Sequence, residues 1–398
     1  MEGIKFIRDS LYGNIEVDGI FLELMETPEI QRLHGIKQLG LTYLVYPGAN
    51  HTRLEHSLGT SYIARKMAKA LGIDAMQAGV AALLHDIGHG PFSHTLEYLM
   101  HERIGKDHMD ITREMILGKT LLSDCEYETT IKEILSKYGM DARKIADAIA
   151  GKGEISKIIH GTLDADQIDY LMRDAYYTGV AYGVIDSDRI IQTMKLYNKD
   201  IVFERKGVTA LESMLVARSL MYSSVYLHKT VRIAELMLVK AVERALSFDF
   251  SLMNDAELIE NLKRMGGYQE DIITRIKYRR LFKKVIAKSF SQLNEREREQ
   301  ISQIDSREIE EKISKKIGKE GYVIVDIPGK DILLSEPRLK KMDIKILDGK
   351  RIKKLSEITP IANALQLRGT TEWALMVCSP EKYRDEVKKY AEKLLFAK

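Results

Sequence analysis

Residues 75–94 read AMQAGVAALLHDIGHGPFSH, and this stretch decides the fold. From Ala75 to Ile87, small and apolar residues cover every side of a helical projection, the mark of a helix buried all round. Gly88, Gly90 and Pro91 then end it. A helix of this kind delivers His85 and Asp86 into the interior, where an imidazole and a carboxylate need partners. Upstream, Thr52 to Leu71 keeps a helical period through Leu54, Leu58, Tyr62 and Met67. Before that come a turn-rich run from Tyr46 to Asn50 and a helix start at Thr27 and Pro28. The opening residues, Ile4 to Ile7 and Gly13 to Val17, are β-like.

Downstream, the spacing predicts helices over 109–117, 127–138, 141–150, 155–174, 187–197 and 207–247, with a small hairpin strand over Lys199 to Lys206. The texture then changes near 250–255. Residues 255–318 are highly charged and helical in period, and Gly321 to Pro328, Asp343 to Leu347 and Trp373 to Cys378 read as strands. A last helix is expected over 380–396. The fold class is therefore mainly α: a helical core over residues 1–250 and a smaller, charged α+β region over residues 251–398.

The chain has 61 Lys and Arg against 58 Asp and Glu, a formal charge of +3, which argues against nucleic-acid binding by bulk electrostatics. Its two cysteines, Cys125 and Cys378, lie far apart, so neither a disulfide framework nor a zinc finger is expected. The first ten residues lack the pattern of a signal peptide, and no apolar run approaches the roughly 20 residues that span a bilayer. A soluble, cytoplasmic protein with no membrane partner is the expectation.

Histidine carries the chemical information. Of ten histidines, eight lie between His34 and His108. His56 sits on the helix before the His85 and Asp86 pair, and Asp166 follows in LDADQIDYLMRDA. Two imidazoles and two carboxylates make a mixed nitrogen and oxygen set that suits a divalent manganese, iron, zinc, nickel or magnesium ion. Any one of these histidines, taken alone, reads more readily as a hydrogen-bonded packing residue than as a ligand. His89, His94, Glu97 and His108 are groups able to donate to phosphoryl oxygens or move a proton near neutral pH, and Arg53 can grip phosphate in a fork. Asp169, Tyr170 and Asp174, read only from their period, are polar groups on a helix surface, and Tyr226 is core.

The blocks TPEIQRLHGIKQLG, YPGANHTRLEHSLG, LLHDIGHGPFSH, LDADQIDYLMRDAYYTG and RSLMYSSVYLHK occur in that order between Lys5 and Lys229. Together they resemble the HD-domain phosphohydrolases, and within them the deoxynucleoside triphosphate triphosphohydrolase branch that includes the SAM-and-HD-domain enzyme. The resemblance implies that His56, His85, Asp86 and Asp166 bind the metal, with a second magnesium ion accompanying the substrate. It places His89, His94 and His108 among the active-site histidines, with Glu97 in support. His94 is then the general acid on the leaving 5′ oxygen, while His89 and His108 contact phosphate.

By the same resemblance, Gln38 and Asp174 meet the 3′-hydroxyl, and Leu39 and Tyr170 exclude a 2′-hydroxyl. Tyr226 stacks near base and sugar, and Arg218 meets phosphate. The implied reaction yields a deoxynucleoside and intact triphosphate, in a homo-oligomer, dimer or tetramer. Two positions depart from the pattern: Gln167 stands where a phosphate-binding lysine is found, and Tyr222 replaces a base-pocket histidine. A nucleotide activator is implied by Lys5, Gln31 and Arg32, whereas Glu26 and His34 differ. Two other functions stay open. One is an HD phosphatase or phosphodiesterase acting on a mono-, cyclic or signalling nucleotide. The other is a non-catalytic nucleotide or nucleic-acid-binding protein, for which the basic clusters RIKYRRLFKK, RLKKMDIK and DGKRIKK speak, although such runs are usually solvated faces.

Overall fold

The computed structural model describes residues 3–245, 249–289, 292–327, 344–367 and 374–396. The described residues are mainly helical with three small sheets among them, and the chain forms two compact units. The described residues of the first fall within Met1–Met221, Asp249–Ala256 and Arg338–Arg368; those of the second fall within Tyr222–Phe248, Glu257–Pro337 and Gly369–Lys398.

The first unit opens with an antiparallel hairpin, β1 (Lys5–Asp9) and β2 (Gly13–Val17). Two short helices follow, α1 (Gly19–Met25) and α2 (Pro28–Arg32), the second starting as Thr27 and Pro28 predict. The centre is a pair of helices, α3 (Arg53–Leu71) and α4 (Ala75–Leu84), packed along one another. Thr52 and Glu55 close a reciprocal capping box on α3, and Gly72 ends it in the left-handed region at φ 69°. Asp74 caps α4 by accepting from the Met76 and Gln77 amides. Every residue from Ala78 to Leu84 is buried, as the all-round apolar pattern requires.

Beyond the glycine-rich turn lie α5 (Ser93–Ile104), α6 (His108–Ile116), α7 (Ile131–Lys137), α8 (Ala142–Ile149) and α9 (Ser156–Ile159). α10 (Ala165–Thr178) packs on α3, and α11 (Ser187–Gln192) leads to β3 (Met194–Tyr197), β4 (Asp200–Glu204) and α12 (Val208–Met221). In the second unit a π-helical turn, Tyr222–Tyr226, precedes α13 (Lys229–Glu243). α14 (Asp255–Arg264) begins in the first unit and continues in the second. It is followed by α15 (Gly267–Lys277), β5 (Lys283–Lys288), α16 (Glu295–Gln303), α17 (Ser306–Ile317) and β6 (Ile324–Asp326). β7 (Lys345–Asp348) and β8 (Arg351–Lys354) return to the first unit and complete a sheet of order β3-β4-β7-β8. The second unit ends with β9 (Leu375–Ser379) and a helix over Arg384–Phe396. β9 is the middle strand of β5-β9-β6, and all five of its residues are buried.

Several predicted elements break where local chemistry interrupts the period. The helix expected over 155–174 divides into α9 and α10. A side chain at Gly161 would meet the Lys157 carbonyl, and Asp164 starts a new helix by accepting from the Gln167 amide. The helix expected over 207–247 is interrupted by the π turn, and the His228 side chain re-caps it at the Thr230 amide. Residues 194–197, expected to be helical, pair with β4 instead, because the Thr193 hydroxyl turns back onto the Arg189 and Ile190 carbonyls. Residues 93–104 and 283–288 form α5 and β5, neither of which is expected from the period. Pro328, Asp343 and Trp373, the ends of three expected strands, and most of the RLKKMDIK cluster lie outside the described residues.

Candidate metal centre

Four side chains from three segments of the first unit meet at one point. α3 supplies His56, the residues just past α4 supply His85 and Asp86, and the first turn of α10 supplies Asp166. His56 Nε2 lies 3.1 Å from Asp166 Oδ1 and 3.8 Å from Asp86 Oδ2. His85 Nε2 lies 3.1 Å from Asp86 Oδ1 and 3.8 Å from Asp166 Oδ1. His56, His85 and Asp86 are buried, and one ligand atom from each fits within 4.8 Å of the others. Donors bound to one ion at about 2.0–2.2 Å stand roughly 3–3.5 Å apart, so the spacing suits a single cation.

The tautomers agree. Asp169 Oδ2 lies 2.8 Å from His56 Nδ1, and a carboxylate only accepts, so Nδ1 keeps its proton and Nε2 is the nitrogen that faces inward, its lone pair open to a cation that displaces the second proton. The Ala82 carbonyl, 2.7 Å from His85 Nδ1, fixes the second ring in the same way. His85 Nε2 is buried and has no hydrogen-bond partner, as a metal ligand would be. The electrostatics also call for positive charge. Burial would depress the His56 pKa, but the hydrogen bonds it donates to Asp166 and Asp169 overcome this and push it up to about 10. Burial would raise the Asp86 carboxyl, yet His85, Arg53 and His89 hold it well below the usual range.

Behind His56 stands a carboxylate that its sequence period misplaced. Asp169 is fully buried rather than on a helix surface. Its Oδ1 accepts from the Tyr12 hydroxyl at 2.8 Å and from Arg173 Nη2 at 3.0 Å, and its Oδ2 accepts from Arg173 Nε at 2.9 Å. Arg173 Nη1 then donates to Asp9 Oδ2 at 2.9 Å, and Asp9 Oδ1 accepts from the Leu11 and Tyr12 amides. The β1–β2 turn is thereby tied to α10, and every polar group in the chain of contacts has its partner. A Cβ at Gly59 would stand 1.9 Å from Asp169 Oδ1, so only glycine allows this approach on α3. One legible signal was available: Asp166, Asp169 and Arg173 fall three and four residues apart, on one side of α10.

The remaining histidines form a row beside the cluster. His89 is buried, with Nε2 3.4 Å from Asp86 Oδ1, and its ring stacks on His108 at 3.9 Å between centroids. Burial, then Arg53 and His108, press its pKa well below the ordinary value, so His89 is neutral. Glu97 bridges the other two: Oε1 bonds His108 Nδ1, and Oε2 lies 3.4 Å from Nδ1 of the half-exposed His94. Against its burial, these bonds hold the Glu97 carboxyl far below the usual carboxylate range. α6 reaches the row because Gly88 has no side chain: a Cβ there would meet the His108 carbonyl at 2.3 Å. Arg53 donates to Ser93 Oγ at 2.6 Å and to Asp86 Oδ2 at 2.5 Å, leaving Nη2 with no hydrogen-bond partner. Phe92 and Ser93 hold φ of 49° and 29°, which costs a non-glycine residue about 1–3 kcal/mol each.

The expected sugar and phosphate residues are less uniformly placed. Gln38 has a buried Oε1 with no hydrogen-bond partner, next to the half-buried Leu39. Asp174 is buried, not on a helix surface, and its Oδ1 lies 2.7 Å from His51 Nε2, with His51 stacked on Tyr177. Gln167 is buried, accepts from Arg218 Nη1 at 3.2 Å and is tied to Asp164. Tyr170 is half-buried on α10. Tyr222 and Tyr226 belong to the second unit, where their rings meet edge-to-face at 5.0 Å. The residues expected at an activator site hold internal partners: Lys5 pairs with Glu26, Gln31 donates to the Met25 carbonyl, and Arg32 donates to four carbonyls.

A family model described as HD domain matches residues 53–174, which contain all four converging residues, and one described as HD associated region matches residues 185–398. The chain belongs to the HD-domain phosphohydrolase superfamily. It is 37% identical over 396 residues to an uncharacterized protein of Methanocaldococcus jannaschii, covering 97% of this chain and 81% of that one. It is 29% identical over 295 residues to the SAMHD1 homolog of Dictyostelium discoideum, a deoxynucleoside triphosphate triphosphohydrolase, covering 68% of this chain. That match spans 54% of the relative, about half its length. Among solved structures, a phosphohydrolase from Bacteroides thetaiotaomicron superposes with a TM-score of 0.71 at 25% identity, covering 95% of this chain and 100% of that one. HD domains bind divalent metals, and His56, His85 and Asp86 form a group that can hold one. Among the described residues, no helix is long and apolar enough to cross a membrane.

Proposed function

We propose that the protein hydrolyses deoxynucleoside triphosphates to deoxynucleoside and inorganic triphosphate. The observation that carries this reading is that His89, His108, Glu97 and His94 stand in one row, joined by ring stacking and by the Glu97 carboxylate, beside the His56, His85, Asp86 and Asp166 cluster. These four would hold the metal, and residues 1–250 would make up the hydrolase domain. A bound divalent ion supplies Lewis acidity at a phosphoryl oxygen and lowers the pKa of the attacking water. The chain's own groups do the rest. Neutral His89 donates a hydrogen bond to a phosphoryl oxygen, and Arg53 offers Nη2 to another. Water oxygen bonds to the α-phosphorus as the bond to the 5′ oxygen breaks; that oxygen takes its proton from His94, and the proton given up by the water passes to solvent, from which the half-exposed His94 is reprotonated. Glu97 holds His94 and His108 in line. Assembly as a homo-oligomer, a second magnesium ion on the substrate and activation by a nucleotide belong to the same reading.

A second reading, an HD phosphatase or phosphodiesterase acting on another nucleotide, has its own support. Gln167 brings no positive charge to the site, and Asp174 is engaged by His51 rather than open to a sugar hydroxyl. Incubating the purified protein with manganese or magnesium and each of the four dNTPs separates the two. Inorganic triphosphate and a deoxynucleoside in equal amounts are expected. Their absence with every dNTP and every metal, alongside turnover of a monophosphate or cyclic nucleotide, would establish the second reading instead.

A further inference from the structure

The loop that would carry the chemistry, residues 85–92, lies outside the regular helices, with Thr112 of α6 bonding its Gly88 amide. It runs from the end of α4 to the start of α5, closes single turns such as the His89 amide on the Asp86 carbonyl, and is otherwise held by side chains from other segments. Two of its carbonyls, Ile87 and His89, accept from Arg32 Nη2 at 2.8 and 2.7 Å. Arg32 Nη1 donates in turn to the Met253 carbonyl at 3.0 Å and lies 3.4 Å from that of Leu252. One guanidinium at the end of α2 thus joins the loop to a segment more than 160 residues further along the chain.

A carboxylate from that segment makes the second join. Asp255, buried at 8% exposure, accepts the Phe92 amide on Oδ1 at 2.8 Å and the Lys37 amide on Oδ2 at 2.9 Å. The Phe92 amide is the one at the left-handed φ of 49°, so the carboxylate holds the strained residue at the end of the loop. Both oxygens of Asp255 are used as acceptors, and all four carbonyls around Arg32 need a forked donor. Asn254, Ser251 and Phe250 pack beside these contacts, facing Gly35, Gly90 and Arg103. The segment responsible, Asp249–Ala256, belongs to the first unit although the residues on either side of it in sequence belong to the second.

We propose that Arg32 and Asp255 are positioning residues: they clasp the loop bearing His85, Asp86 and His89 to the 249–256 segment and set the distances on which turnover depends. The inference deepens the proposed hydrolase reading and rests on it for its kinetic half. Displacing a reacting group by about 1 Å can cost on the order of a hundredfold in rate. The hydrogen bonds of both residues run to the protein's own backbone, so the rate constant should suffer while substrate affinity does not.

Asp255→Asn is the sharpest probe, because it keeps shape but turns an amide donor against one of the two N–H groups. Arg32→Lys keeps charge but cannot span four carbonyls, and Arg264→Ala, on the exposed side of α14, is the control. Amide exchange in peptides covering residues 85–94 should rise about tenfold in both variants, with exchange in α3 and α10 unchanged. kcat on the best dNTP should fall tenfold to a hundredfold at a KM within about threefold of wild type. The control should match wild type in both measurements. Unchanged loop exchange, an unchanged kcat despite a loosened loop, or exchange rising equally across α3 and α10 would each overturn the proposal. Exchange needs no substrate. If no dNTP is turned over by the wild type, the substrate assignment fails while loop-specific exchange still decides whether the clasp exists.

Discussion

The two sides of the His and Asp cluster are built to different standards. On the α3 and α10 side, His56 is held by Asp169, Asp169 by Arg173 and Tyr12, and Arg173 by Asp9, all inside the protein. On the α5 side, His94 is half exposed, Glu97 and His108 are partly so, and two non-glycine residues carry positive φ. In the proposed reading the first side would fix an ion, which requires rigidity to a few tenths of an ångström. The second would handle a substrate and a proton, which requires access. The contrast assigns different failures to the two sides: loss of metal on one, loss of rate on the other.

The largest effect is expected at the centre, where the sides meet. Asp86→Ala removes a ligand and the partner of Arg53, and it should abolish metal binding, measured by elemental analysis, with turnover at least a thousandfold lower. Arg173→Leu should come next. It strands Asp169 and Asp9 without their cation, and loss of one partner of a buried pair costs about 3–5 kcal/mol. A denaturant titration checks this, and a shift below about 1 kcal/mol would show that the rigid side is not rigid. Asp169→Asn keeps the acceptor for His56 and should weaken metal affinity about tenfold to a hundredfold by calorimetric titration. An effect on rate at unchanged affinity would erase the distinction between the sides.

The smallest effect is expected on the open side. Glu97→Gln should lower kcat about tenfold and leave metal content at wild-type level. The sign of the pH effect follows from the lowered carboxyl. Its contribution is complete above the ordinary value near 4.5 and is lost only as pH falls toward the folded one. A rate profile between pH 5 and 9 should therefore contain no acid limb owed to Glu97. Such a limb, present in wild type and missing in Glu97→Gln, would contradict the bridging role.

The same contrast explains what could be read from the chain. The convergence of His56, His85, Asp86 and Asp166 is legible because two of them sit on the periodic helices α3 and α10 and the other two follow directly on the end of the all-round apolar α4. Asp169 was misplaced because its burial is made by Tyr12 and Asp9, some 160 residues away in sequence, which no local period reports. α5 was missed because its first residues follow a glycine- and proline-rich turn and enter the helix through a left-handed Phe92. β5 was hidden by its lysines: Lys283, Lys284 and Lys288 look like part of a charged helix until Leu375–Ser379 gives them a strand to pair with.

For anyone seeking to make this protein more robust, Gly59 is a trap. A glycine in the middle of a long helix invites replacement by alanine, a change that ordinarily adds roughly 1 kcal/mol of stability. Here the added methyl would take the space of the Asp169 carboxylate, the group that aims His56. The empty place on α3 works as a seat for an oxygen atom, and a helix improved by the usual rules would be bought with the ion.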